Sequence, residues 1–179
     1  MTKAAEGVIA QGAKVVLRRK RLDDASNDYA WRCDPELARF DGVPPLRTPY
    51  NDFFASYSQE INYDGSYRRT YAIEDEAGRH IGNVMYYNAD RVRGEAELGI
   101  SIGERAYWSC GYGTDAVNTF VRYLFQELGF RRIYLHTLDW NVRAQRCFFK
   151  AGFAPCGSSW RNGQNFIIME MRSEWLPEI

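Results

Sequence analysis

The chain has 179 residues, 45% of them hydrophobic, and its 23 lysines and arginines are balanced by 23 aspartates and glutamates. That length suits one domain, residues 1–179, with a sizeable core, and a formal net charge of zero leaves no global electrostatic footprint for nucleic acid. No apolar run approaches the roughly 18 residues of a spanning helix and no apolar signal core opens the chain, so a cytoplasmic protein without a membrane partner is expected.

Residues 14–21 carry Val15, Val16 and Leu17 among basic side chains and read as a first strand with solvated charges. Asp23-Asp24-Ala25 starts a helix, and Pro35 opens a further short helical turn. After the breaks at Pro44-Pro45 and Pro49, Asn51 is placed to cap a helix through Ile61 with Phe54, Tyr57, Ser58 and Ile61 on one face. Residues 71–73 and 81–87 then form a hairpin over a turn at 75–78, and the polar stretch 88–94 leads to a strand over 95–102. Alternation in that strand puts Leu98, Ile100 and Ile102 on one face and Glu95, Glu97, Gly99 and Ser101 on the other. Two carboxylates on one strand face are candidates for handling protons from an amine.

Next comes Gly111-Tyr112-Gly113, followed by Val117, Phe120, Val121, Leu124, Phe125 and Leu128 at helical spacing, with Gly129 as the stop. Thr114 and Asp115 supply N-terminal chemistry. A helix N-terminus presents unpaired N–H groups and partial positive charge, and glycine allows close approach of the main chain. Trp108, Ser109, Cys110, Gly111, Tyr112, Gly113 and Thr114 therefore read as an anion cradle. A strand over 132–138 follows, then a helix capped by Asn141 and ended by Gly152. The last segments, 153–160 and 165–171, form a hairpin over Asn162-Gly163 whose tip is placed to face a substrate. Cys33, Cys110, Cys147 and Cys156 contain no Cys-x-x-Cys pair, and with only His80 and His136 available, free buried thiols and no metal are expected.

Gly111 to Ala116 also fits the dinucleotide fingerprint Gly-x-Gly-x-x-Ala, with Asp139 downstream, which suggests a nicotinamide-dependent oxidoreductase as one alternative. That fingerprint needs a strand running directly into its first glycine, whereas the apolar alternation stops at Ile102, and repeated strand–helix units are missing.

Tyr107-Trp108, Gly111-Tyr112-Gly113-Thr114-Asp115-Ala116, Leu128-Gly129-Phe130-Arg131-Arg132-Ile133, Asn141-x-x-Ala144 and Lys150-Ala151-Gly152-Phe153 resemble, in order and spacing, the GCN5-related N-acetyltransferases. Within that family they are similar to the ribosomal-protein N-terminal alanine acetyltransferase group. The dense likeness covers about a quarter of the chain. It implies an α/β (α+β) fold, a mixed, mostly antiparallel central sheet with helices on both faces, and acetyl-coenzyme A as co-substrate. The pyrophosphate would lie on the cradle and the pantetheine arm along Leu98, Gly99 and Ile100, whose N–H groups would polarise the thioester carbonyl. Asn141 would touch the pantetheine arm, and Arg143 and Arg146 are placed to meet an outer phosphate. Glu97 matches the position of the family's base, and Glu95 is a candidate for binding a cationic acceptor.

The chain departs from the family's pattern in two places. Trp108 stands where Gln or Arg is common, with Arg105 nearby as a replacement charge, and Phe148 stands where many members carry a tyrosine that protonates the departing thiolate. The second departure motivates another alternative, an impaired acyl-coenzyme-A-binding sensor or partner module.

The acceptor that the resemblance implies is a small-molecule or peptide-terminus amine: a protein N-terminus, an amino acid, a polyamine or an aminoglycoside. An α-amine near pKa 7.7–8.0 costs roughly 1.4 kcal/mol to deprotonate at pH 7, against about 4.6 kcal/mol for a lysine-like amine, so one modest carboxylate suits an α-amine better. A homodimer stays open.

Overall fold

A computed structural model describes residues 7–63 and 65–176. Eight strands form one sheet: β1 (Val8–Gln11), β2 (Val16–Arg19), β3 (Arg69–Glu74), β4 (His80–Asp90), β5 (Glu95–Ile102), β6 (Arg132–Leu138), β7 (Ala154–Arg161) and β8 (Gln164–Arg172). Their order is β1-β2-β3-β4-β5-β6-β8-β7, antiparallel throughout except for the parallel pair β5–β6. Among the described residues five α-helices accompany them, α1 (Ala25–Cys33), α2 (Pro35–Phe40), α3 (Tyr50–Glu60), α4 (Tyr112–Gln126) and α5 (Val142–Lys150). The expected class, a mixed and mostly antiparallel sheet with helices on both faces, is what the chain adopts. The lone parallel pair also removes the dinucleotide-fold reading, and the glycine turn follows the irregular stretch 103–111 rather than a strand end.

Adjacent residues of β2 show how the two faces differ. Leu17 enters the main core with Ile73, Ile81, Ile133 and Met169, covered by Val117, Phe120, Val121 and Leu124 of α4. Arg18 points the other way, to Asp24 and Glu74 beneath α1. Helices α1 and α3 share a smaller core of Ala25, Phe53 and Tyr57.

Several local expectations shift. Strand β1 was too short for its alternation to register. Helix α3 begins two residues early with Pro49 at the cap, so Asn51 lies inside its first turn and the Phe53–Tyr57 pair, four residues apart, is buried instead of Phe54. Asp115 does not cap α4; its carboxylate accepts the N–H groups of Ala13, Lys14 and Val15 and ties the β1–β2 turn to the helix. The cysteines are free, but none is fully buried: Cys33 and Cys147 are half-buried, Cys110 and Cys156 exposed.

What positions the site is an interrupted ladder. Strands β5 and β6 pair only through Glu95–Arg132, Ala96–Ile133 and Glu97–Tyr134. The closed end is pinned by the Gly94 carbonyl, which accepts from the N–H groups of Arg131 and Arg132 at 2.6 and 3.1 Å. Beyond Glu97 the two strands part. β5 stays paired to β4 as far as Ile102–Gly82, and β6 to β8 as far as Leu138–Phe166. A wedge therefore opens in the middle of the sheet.

Candidate active site

The wedge is a cleft of about 770 Å³. One wall is the unpaired edge of β5, Leu98 to Ile102, and the other is His136, Thr137 and Leu138 of β6 with Asn141, Arg143, Arg146 and Cys147 of the α5 region. Leu37, Phe40, Asp41 and Val43 close it from the α2 side, and Met85, Tyr87 and Phe166 reach in from β4 and β8. A strand edge without a partner presents N–H and C=O groups that an extended chain can pair with, as in strand addition.

At one end lies the cradle. Gly111 caps α4 with φ +87°, no side chain takes the first N–H groups, and Ser109 is also left-handed at φ +58°. A Cβ at Gly113 would meet Cys147 Sγ at 3.5 Å, an ordinary contact. Of the expected cradle residues, Trp108, Ser109, Gly111, Gly113 and Thr114 line the cleft. Tyr112 turns away and donates its hydroxyl to Glu76, and the Cys110 thiol folds back toward the Trp108 carbonyl.

Trp108 has a definite task. Its Nε1 donates to the Ile102 carbonyl at 2.7 Å, and its ring carries the Arg143 guanidinium at 3.7 Å, which also lies 4.6 Å from the Phe40 ring. Burial lowers the Arg143 pKa, yet an arginine stays charged, so the cleft gains a cation held between two aromatic faces. Arg146 and Lys150 add two more on α5. Arg105 does not replace the phosphate-binding charge, because its guanidinium is taken by Asp34 at 2.8 and 2.9 Å and by Glu36 at 2.7 Å. Asn141 caps α5 as expected, its Oδ1 accepting from Ala144 N at 3.2 Å, which leaves Nδ2 for a ligand. Phe148 is buried against Phe153, so no hydroxyl stands there, and Cys147 faces Thr114 at the cradle, its thiol pushed up by burial.

The two strand carboxylates part company. Glu95 lies at the closed end, paired with Arg132 at 3.0 Å and Arg93 at 3.8 Å, and does not reach the cleft, so the acceptor-binding place expected for it is not built. Glu97 is 2% exposed at the point where the strands diverge. Its Oε1 accepts from the Tyr87 hydroxyl at 3.0 Å and from His136 Nδ1 at 2.6 Å, and its Oε2 from Asn88 Nδ2 at 3.0 Å. The bulge in β4, with Asn88 at φ +51°, brings that amide into reach. Burial and the Glu97 charge raise the Tyr87 pKa, keeping its hydroxyl a donor. His136 Nε2 lies 2.8 Å from an Arg161 NH group. Because arginine only donates, Nε2 accepts and the proton is assigned to Nδ1. Asp41 opens on the cleft and is exposed at its surface, and desolvation by the surrounding protein pushes its carboxyl up to about 6.

Sequence reasoning missed His136, Tyr87, Asn88, Arg161 and Asp41. One signal was available for His136: alternation in 132–138 puts Arg132, Tyr134 and His136 on one face of the strand beside Glu97.

The geometry thus offers an open strand edge, an anion cradle, flanking cations and a buried carboxylate–histidine pair. These are the parts of an acyl-transfer site. The family model for the GNAT acetyltransferase domain matches residues 14–154. An uncharacterised N-acetyltransferase p20 of Bacillus licheniformis is 26% identical over 125 residues, covering 67% of each chain. The spermidine N-acetyltransferase of Vibrio cholerae, solved with CoA and spermine, superposes with TM-score 0.79 at 20% identity over 89% of this chain and 96% of its own. An aminoglycoside acetyltransferase, AAC(6')-Ib, solved with coenzyme A, gives TM-score 0.72 at 22% identity over 89% and 95% of the two chains. The chain belongs to the GNAT family and is an N-acetyltransferase.

Proposed function

We propose that the protein moves an acetyl group from acetyl-coenzyme A directly to a primary amine of a small molecule or a peptide terminus. The observation that carries this reading is the unpaired edge of β5 from Leu98 to Ile102, which runs from the Gly111–Gly113 cradle at the start of α4 to the buried Glu97. The strand edge suits the amide-bearing pantetheine arm, and the α4 N-terminus with Arg143, Arg146 and Lys150 suits phosphates. The N–H groups around Leu98 to Ile100 are placed to stabilise negative charge on the thioester oxygen. Attack needs a neutral amine, and Glu97 supplies the negative charge that makes proton removal favourable. Asp41 offers the acceptor half of the cleft a single carboxylate among apolar walls, which suits an amine bearing positive charge.

The sequence resemblance to ribosomal-protein alanine acetyltransferases favours a peptide α-amine; the polyamine and aminoglycoside acetyltransferases of the same fold extend the choice to small polycations. Calorimetric titration with acetyl-coenzyme A, with NAD as control, tests the donor site and is expected to show saturable binding of the first alone. Release of coenzyme A thiol with spermidine, an aminoglycoside and an alanine-terminated peptide then ranks the acceptors. Failure to bind acetyl-coenzyme A sinks the reading.

A further inference from the structure

The geometry points to His136 as the group that takes the proton from the acceptor amine, with Glu97 as its positioning carboxylate and Arg161 as the side chain the amine displaces. This inference rests on the proposed amine acceptor. A general base must come within hydrogen-bond reach of the proton it removes. Glu97 is 2% exposed, and Oε1 already accepts from Tyr87 and His136 and Oε2 from Asn88. Its charge reaches the cleft through the imidazole.

His136 has the complementary arrangement. Its Nδ1–H is committed to Glu97 at 2.6 Å, which leaves the Nε2 lone pair directed away from the carboxylate, and the residue lines the cleft with a side chain 11% exposed. A carboxylate on Nδ1 fixes the tautomer and stabilises the imidazolium that forms when Nε2 takes a proton. The charged or titratable groups facing the ring are Glu97 from β5, Tyr87 from β4, Tyr134 from β6 and Arg161 from β7, while β8 contributes the apolar Phe166.

Arg161 is the only one of these that leaves easily. It is exposed at the end of edge strand β7, and among the described residues its other side-chain hydrogen bond is one of 3.3 Å to Ser159. A guanidinium N–H at 2.8 Å from Nε2 is chemically what an acceptor ammonium presents, a cationic N–H donor aimed at the imidazole. Arg161 therefore occupies the place of the substrate nitrogen until a substrate arrives.

The step balances as follows. The ammonium N–H bond breaks and its proton passes to Nε2, leaving the nitrogen lone pair free. That lone pair forms a C–N bond to the thioester carbonyl carbon. Collapse of the adduct breaks the C–S bond, and the nitrogen's remaining excess proton goes to sulfur, giving amide and coenzyme A thiol. His136 returns its own proton to solvent, so one proton is released per turnover.

The test compares His136→Asn with Arg161→Ala. Asparagine keeps an amide N–H near the Nδ1 position, so Glu97 retains a donor while Nε2 is lost. The expected result is a fall in kcat of roughly 10²–10⁴, an acetyl-coenzyme A affinity unchanged in calorimetry, and partial recovery of kcat with 4-methylimidazole in solution. In Arg161→Ala, KM for the amine should fall, because a competitor for Nε2 is gone. Turnover by His136→Asn close to that of the wild type overturns the assignment, as does a lost kcat that no imidazole restores or a raised KM in Arg161→Ala. A wild-type protein that binds acetyl-coenzyme A but acetylates no amine instead overturns the proposed acceptor itself, and this assignment with it.

Discussion

Two clusters in this protein combine a histidine, carboxylates and a cation, and they behave oppositely. Beneath α1, His80 has Nδ1 3.4 Å from Asp24 and 3.3 Å from Asn27, and Nε2 3.1 Å from Asn83 and 3.4 Å from Lys20. Arg18 grips Asp24 with two bonds of 2.8 Å, Lys20 lies 2.6 Å from Asp28, and the Trp31 ring covers the imidazole. Arg18, Asp24 and His80 are all buried, and burial followed by the Lys20 charge pushes the His80 pKa down. At the cleft, the His136–Glu97 pair is equally well bonded on one side, but on the other it ends on an exposed, displaceable arginine. The same residue types lock a fold where none of the partners is exposed, and under the proposed assignment they exchange a proton where one partner can move.

Breaking the closed cluster should have the largest effect. Arg18→Ala leaves Asp24 and Glu74 without their buried cation and is expected to cost about 3–5 kcal/mol of stability, read as a drop in the urea midpoint. An unchanged midpoint would show that the cluster does not hold α1 to the sheet. In the open cluster, Glu97→Gln should act on chemistry instead. On the order of a 10²-fold loss of kcat is expected, with acetyl-coenzyme A affinity kept, and full turnover in that variant would remove Glu97 from the mechanism.

A smaller effect separates the clusters by pH. Burial by itself would raise the Asp24 carboxyl, but its bond to Arg18, with the Lys20 and His80 charges, overcomes this and holds it at about 2, below the ordinary value of 3.8. A depressed folded value means that the unfolded chain binds the proton first. Asp24 therefore stabilises the fold fully above about pH 4 and progressively less as pH falls toward 2. The stability gap between wild type and Asp24→Asn should close over that window; a gap independent of pH would refute the ionised pair.

The least effect is expected from Arg105→Ala. That guanidinium is tied to half-buried Asp34 and exposed Glu36 outside both clusters, so acetyl-coenzyme A affinity should change less than about threefold. A larger loss would return Arg105 to the phosphate site.

Much of the scaffold was legible in the sequence because the signals are local. The bounds of β5 and β6, the glycine turn into α4, the Asn141 cap and the Asn162-Gly163 hairpin turn follow from side-chain period, backbone freedom and capping chemistry within a few residues. The same reading missed by two positions where local signals competed, as at Pro49 and Asn51, where the proline took the cap.

By itself, then, the sequence determined most of the elements and the family, and it located the glycine turn at the start of α4. Only the tertiary structure decided which of them share a site. Period-two alternation says which face a side chain takes, not where pairing between two strands stops, so the parting of β5 from β6 after Glu97 could not be read from either strand alone. Nor could the different fates of Glu95 and Glu97, the capture of Arg105 by Asp34, or the meeting of Glu97, His136 and Arg161. Each depends on contacts between segments far apart along the chain, fixed only when the sheet and its covering helices pack.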